Sequence, residues 1–299
     1  MSKFKDTVFR GSATALVTPF LNGKTDLVSL GRNIEYQIKN GTDALVICGT
    51  TGEVATLSED EHKACIEYAV NSAAGRVPVI AGTGSNDIAH AIRMSRFAEA
   101  VGADALLVVT PYYNKATPSG LIKSFRAIAD ATSTPIILYN VPSRTGVNLP
   151  ISVLRELSEH DRIVALKDAA GNIGETARII AELGDVLDVY SGNDDMTVPT
   201  LALGGAGVIS VASNVVPREM HDICRLFFEG KVRESAELAA SLSELMSALF
   251  VEVNPIPVKT AMAKMGFCSE EFRLPLCECE EKSRALIYST LQKLNLCRE

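Results

Sequence analysis

At 299 residues, 47% hydrophobic and 22% charged, the chain has the make-up of a globular protein with a full core, not of a disordered or fibrous one. A formal net charge of −7, with no basic stripe interleaved with aromatics, excludes a general nucleic-acid binder. No apolar run reaches the roughly 18 residues of a membrane span. Met1-Ser2-Lys3-Phe4-Lys5-Asp6 lacks an apolar signal-peptide core, so the chain reads as cytoplasmic. The seven cysteines fit that compartment, most of them reading as reduced core residues. Cys277 and Cys279 form the one close pair, and a single C-x-C without nearby histidines predicts no metal site.

Along the chain, short Val/Ile/Leu-rich runs alternate with amphipathic segments. The runs are Ala13–Pro19, Asp43–Gly49, Val77–Gly82, Asp104–Thr110, Pro135–Asn140, Arg162–Lys167, Asp185–Gly192 and Gly207–Ala212. They are apolar throughout instead of alternating, as strands covered on both faces should be. Helix starts are marked between them: Ser58 with Glu61 as a capping box, Thr117-Pro118, and Asn172 with Glu175. Gly82-Thr83-Gly84-Ser85-Asn86 lacks the spacing of a dinucleotide fingerprint and reads as a turn and helix cap. Eight strand–helix repeats predict an α/β fold, a (β/α)8 TIM barrel over residues 1–230. Pro217 opens its closing helix. Residues 231–299 then predict a C-terminal helical extension: Lys231–Val253, a helix from Asn254-Pro255, and one from about Cys279 to Leu294.

Chemistry in such a barrel belongs at the C-terminal strand ends. Lys167 stands there, closing the run Ile163-Val164-Ala165-Leu166 just before Asp168-Ala169-Ala170-Gly171-Asn172. A desolvated lysine has a lowered pKa and becomes a nucleophilic amine that attacks carbonyls to form a Schiff base. The bland alternative is a stem lying on the strand with its head in solvent. The second strand ends in Gly49-Thr50-Thr51-Gly52-Glu53, whose hydroxyls and free N–H groups suit a carboxylate or a proton relay, or simply a polar turn. The fourth ends in Thr110-Pro111-Tyr112-Tyr113-Asn114, a tyrosine pair that serves packing or proton donation. The fifth ends in Tyr139-Asn140-Val141-Pro142-Ser143-Arg144-Thr145-Gly146, with Tyr139 near Lys167 and Arg144 offering a fork to a carboxylate or a surface ion pair.

Gly49–Glu53, Tyr139–Gly146 and Ala165-Leu166-Lys167-Asp168-Ala169 resemble the signature segments of the dihydrodipicolinate synthase family. That family shares a superfamily of pyruvate-dependent class I aldolases with N-acetylneuraminate lyase. Order and spacing agree from the first strand through Asn254-Pro255-Ile256-Pro257-Val258-Lys259, nearly the whole chain. The resemblance implies condensation of pyruvate with aspartate 4-semialdehyde on the diaminopimelate route to lysine, with no cofactor and no metal. It implies Lys167 as the Schiff-base residue and Tyr139, Thr50 and Tyr113 as a proton relay, Tyr113 reaching in from a neighbouring subunit of a homotetramer. It implies Thr51 as holder of the pyruvate carboxylate, Arg144 as receiver of the semialdehyde carboxylate, and Gly192 and Ile209 as pocket-lining positions. Thr50-Thr51 with Arg144 favours this branch; the alternatives are a lyase or aldolase of another 2-oxo acid, such as N-acetylneuraminate, or a non-catalytic pyruvate-binding homologue. Many family members bind lysine as an inhibitor at the dimer interface. The corresponding positions are Val54, Ala55, Glu59, His62, Asn86, His90 and Tyr112, with Glu59 and His90 exchanged relative to the inhibited bacterial pattern.

Overall fold

The computed structural model describes residues 7–297; Met1–Asp6, read above for its lack of an apolar core, lies outside them. Eight parallel strands close into a barrel: β1 Gly11–Ala15, β2 Ala44–Ile47, β3 Val79–Gly82, β4 Ala105–Val109, β5 Ile136–Asn140, β6 Ile163–Asp168, β7 Asp188–Ser191 and β8 Gly207–Ser210. β1 pairs with both β2 and β8, which closes the ring. A small hairpin, Phe20–Leu21 with Lys24–Thr25, follows β1. The helices after the strands are α1 Leu27–Lys39, α2 Glu59–Ala73, α3 Ile88–Ala100, α4 Pro118–Ala129, α5 Ile151–Ser158, α6 Ile173–Leu183, α7 Thr197–Ala202 and α8 Pro217–Phe228. The TIM-barrel expectation holds.

Period-two alternation divides each strand between two cores. Ile136 and Leu138 point outward, with Leu106, Val108 and Leu45, against the helix layer. Ile137 and Tyr139 point inward, where Ala13, Ala15, Ala44, Ala105 and Ala165 leave room for Ile80, Leu107 and Tyr190. Small residues beside large ones fill a barrel interior without voids. Gly82 is needed for closeness: a Cβ there would lie 2.3 Å from the Cys48 carbonyl oxygen.

The first strand departs from its expected bounds. It starts at Gly11 and ends at Ala15, because the Val17 N–H donates to the Asn214 side chain (3.2 Å) instead of to a strand, and Pro19 has no N–H to give. Ser58 and Glu61 form the predicted capping box, which is worth about 1 kcal/mol. Asn172 caps α6, but Glu175 does not reach back; its carboxylate accepts from Asn148 Nδ2 instead (2.9 Å). Asp87, not Asn86, caps α3, accepting from Ala89 N–H (3.0 Å).

The expected helix Lys231–Val253 is in fact two, α9 Val232–Ser241 and α10 Ser243–Ala248, followed by turns. Leu242, at φ −97° and ψ 0°, leaves the helical region. The break lets Leu242, Leu245, Met246 and Leu249 enter a core shared with Val17, Val208 and Val211 at the β8–β1 seam. α11 Ile256–Lys264 and α12 Glu281–Lys293 complete the same core. All seven cysteines are free, and the Cys279 thiol donates to Glu252 (3.2 Å). Among the described residues no helix is long and apolar enough to cross a membrane.

Candidate active site

Lys167 owes its orientation to an irregularity in β6. Ile136 pairs with Ile163, but Ile137 pairs with Ala165, so Val164 is an extra residue on the β6 side. Ile163 points out to the helices, Val164 and Ala165 both point in, and Leu166 points out again. Strict alternation from Ile163 would have sent Lys167 outward; one bulged residue resets the phase. Lys167 is accordingly 6% exposed and pairs in register with Tyr139 on one side and Tyr190 on the other. Its Nζ lies 4.4 Å from the Tyr139 ring centroid. Among the described residues no carboxylate forms an ion pair with it. A buried amine free of an ion pair, near the C-terminal end of its strand, is placed to act as a nucleophile.

Tyr190, not anticipated from sequence, donates its hydroxyl to the Phe9 carbonyl (2.6 Å) and stacks on the Phe9 ring (4.2 Å). Burial raises its pKa far above the phenol range. It walls the lysine in and keeps its proton.

The β2–α2 loop supplies the hydroxyls. Thr50 lines, with Tyr139, a small void of about 40 Å³ inside the barrel mouth. Thr50 also lines a cavity of about 310 Å³ shared with Tyr112, Arg144, Asn254 and Leu276. Thr51 is buried, and its hydroxyl oxygen accepts from Asn254 Nδ2 (3.0 Å). Arg144 sits on the one-turn helix Pro142–Thr145, exposed at the rim, and its Nη2 donates to the Asn254 carbonyl (3.0 Å). Gly192 holds the β6–β7 approach: its N–H donates to the Asp168 carbonyl (2.7 Å), and a Cβ would meet Ala169 at 2.6 Å. Ile209 is fully buried in the barrel interior. Tyr113 does not join this cluster within its own chain. It is 84% exposed with φ +74°, a left-handed conformation that is uncommon outside glycine.

Three of the candidate effector positions, Val54, Ala55 and Tyr112, border the 310 Å³ cavity. Glu59 pairs with Lys63 (2.7 Å) and faces His90 (3.5 Å), so the exchanged residues lie opposite each other. His62 is buried, its Nε2 is 2.8 Å from the Gly82 carbonyl, and burial pushes its pKa down to about 4. Asn86 is exposed.

A second buried lysine was not expected from the sequence. Lys259, in the apolar run Ile256–Met262 of α11, is fully buried and bonded to Glu53 (2.6 Å). Burial holds its pKa below the usual lysine range, and Glu53 opposes that shift. The ion pair and the Phe20 ring, 3.9 Å from Nζ, occupy its amine, so it is no rival nucleophile. The signal for it was the one that picked Lys167, a lysine set in an apolar run. Among the described residues no group of three or more His, Cys, Asp or Glu is placed to hold a metal ion.

A closed (β/α)8 barrel with an amine, hydroxyls and a guanidinium gathered at its strand ends has the make-up of a Schiff-base lyase. The dihydrodipicolinate synthetase family matches the chain over residues 8–294. The 4-hydroxy-tetrahydrodipicolinate synthase of Clostridium novyi is 47% identical over 289 residues, covering 97% of this chain and 98% of its own. The crystal structure of dihydrodipicolinate synthase from Aquifex aeolicus superimposes with a TM-score of 0.95 at 47% identity, covering 96% of this chain and 99% of that one. The enzyme of Cyanidioschyzon merolae with lysine bound is 37% identical, with a TM-score of 0.93 over 97% of this chain and 100% of that one. The chain belongs to the dihydrodipicolinate synthetase family.

Proposed function

We propose that this chain condenses pyruvate with L-aspartate 4-semialdehyde to 4-hydroxy-tetrahydrodipicolinate, a lyase reaction of the diaminopimelate route to lysine. Full-length likeness to enzymes of that name supports the reaction. The observation that carries the mechanism is Lys167, turned into the barrel mouth beside Tyr139 by the bulge at Val164.

Lys167 Nζ attacks the ketone carbon of pyruvate, and loss of water leaves an imine. The protonated imine draws electrons from the adjacent methyl group, which gives up a proton to form an enamine. The enamine carbon adds to the aldehyde. The substrate amine then attacks the imine carbon, closing the ring and expelling Lys167. Tyr139, Thr50 and Tyr113 relay the protons of these steps, since phenol and hydroxyl groups both donate and accept. Thr51 receives the pyruvate carboxylate, Arg144 that of the semialdehyde, and Gly192 and Ile209 line the pocket.

Residues 1–230 form the catalytic barrel in this reading, and 231–299 a helical region. Tyr113 completes a neighbouring subunit's site in a homotetramer, which accounts for its outward, left-handed placement. The protein works in the cytoplasm. Val54, Ala55, Glu59, His62, Asn86, His90 and Tyr112 form a weak lysine-effector site at the subunit interface. Turnover of both substrates, followed through a coupled reductase that consumes the cyclic product, tests the reaction. Brisk turnover supports it, and none with this acceptor would direct attention to another 2-oxo acid reaction.

A further inference from the structure

The loop that carries Thr50 and Thr51 has little to hold it in its own sequence. It contains two glycines, and its internal bonds are two turn contacts, Gly52 N–H to Gly49 O and Glu53 N–H to Thr50 O, both 3.0 Å. Its firm attachments come from the far end of the chain. Asn254 Nδ2 donates to the Thr51 hydroxyl oxygen (3.0 Å), and Lys259 Nζ donates to Glu53 (2.6 Å). The side chains of Lys259 and Glu53 are 0% and 1% exposed.

Stability alone is a poor reason for such a pair. Two desolvated charges roughly cancel their mutual attraction, and an apolar pair of similar volume serves a core as well or better. What the ion pair adds is direction. Glu53 stands at φ +53°, a left-handed conformation unfavourable for a side chain, and is held there with its carboxylate on Lys259. The ammonium is fixed in turn above Phe20, whose ring also carries the Arg273 guanidinium at 4.4 Å. Asn254 acts on the next link. With an amide N–H on one lone pair of its oxygen, Thr51 is left with its own O–H to donate elsewhere. The Asn254 carbonyl meanwhile receives Arg144.

Resting on the condensation reading, we infer that Lys259 and Asn254 are positioning residues: Lys259 through Glu53, and Asn254 through Thr51, set the loop that receives the pyruvate carboxylate. The helical C-terminal region is thereby part of the substrate site and more than packing. Preorganised donors raise rate and affinity because no reorganisation is left to the moment of binding.

The test is the pyruvate concentration that half-saturates borohydride trapping, a reading that needs no second substrate. It is taken on full-length wild type, Lys259→Met and Lys259→Arg, with circular dichroism melts and steady-state kinetics alongside. Lys259→Met removes the counter-charge of Glu53 and leaves its carboxylate only the long Arg273 N–H contact (3.5 Å), and half-saturation rises about tenfold or more while the semialdehyde KM stays within about twofold. Glu53→Gln added to Lys259→Met removes that stranded charge and recovers part of the loss. Lys259→Arg keeps the charge but sets a wider, planar guanidinium in place of the ammonium over Phe20; it raises half-saturation severalfold, and with the double variant it decides the matter if Lys259→Met does not fold. Variants that melt earlier yet half-saturate like wild type overturn the inference, leaving a purely structural pair. Wild type that traps no pyruvate overturns the catalytic reading instead, so the two failures are distinct.

Discussion

Tyr139 and Lys167 are register partners across β5 and β6, and the lysine amine stands 4.4 Å from the centre of the tyrosine ring. The ring gives the amine a face to lie on, and Tyr139 lines the void that Thr50 also borders. Tyr139→Phe keeps the ring and removes only the proton-carrying atom. Its kcat falls by about 10²-fold or more, the range of one general acid–base group, while pyruvate still modifies Lys167 under borohydride. Unchanged kcat would remove Tyr139 from the relay.

Arg144 is exposed at the rim and spends one donor on the Asn254 carbonyl. Arg144→Ala therefore costs little stability, within about 0.5 kcal/mol for a surface change. Its semialdehyde KM rises by about tenfold or more, the loss expected when a charge-assisted fork to a carboxylate goes. Pyruvate trapping stays near wild type. Equal losses for both substrates would mean that Arg144 acts on the whole mouth and not on the second carboxylate.

His62 makes stability depend on acid. Burial pushes its pKa in the fold down to about 4 from an ordinary 6.5, so the folded protein holds the neutral ring. Between those values the unfolded chain binds the extra proton, and stability falls as pH drops. The contribution is complete above about 6.5 and lost on descending toward 4, at about 1.4 kcal/mol per unit. Chemical denaturation across that window shows the slope, and His62→Gln flattens it. A variant with the same slope as wild type would assign the acid sensitivity to other groups.

From the proposed effector site we predict that lysine at millimolar concentration lowers turnover weakly. Glu59 already faces His90 and Lys63, so a bound lysine must compete with existing pairs for that carboxylate. An inhibition curve flat to millimolar lysine rules the effector site out.

Much of the barrel was legible because its strands are short apolar runs between capped amphipathic segments, a pattern that two-faced burial imposes. The break at Leu242 was not, since no glycine or proline marks it; the helix turns to bury Leu245, Met246 and Leu249. The inward aim of Lys167 was also hidden. Ile163-Val164-Ala165-Leu166 is apolar at every position, so nothing in it reveals which residue is the bulge. The apolar run around Lys259 was there to be read, but its partner Glu53, like Thr51 for Asn254, was not: the pairs meet across 206 and 203 residues, a separation that local pattern cannot bridge.

In the proposed mechanism Lys167, and no other lysine, carries the pyruvate. Incubation with pyruvate and borohydride, followed by proteolysis and mass mapping, reads this directly. A reduced pyruvyl adduct is expected on the peptide containing Lys167, absent from a folded Lys167→Ala variant. An unmodified Lys167, or an adduct on Lys259, would contradict that mechanism.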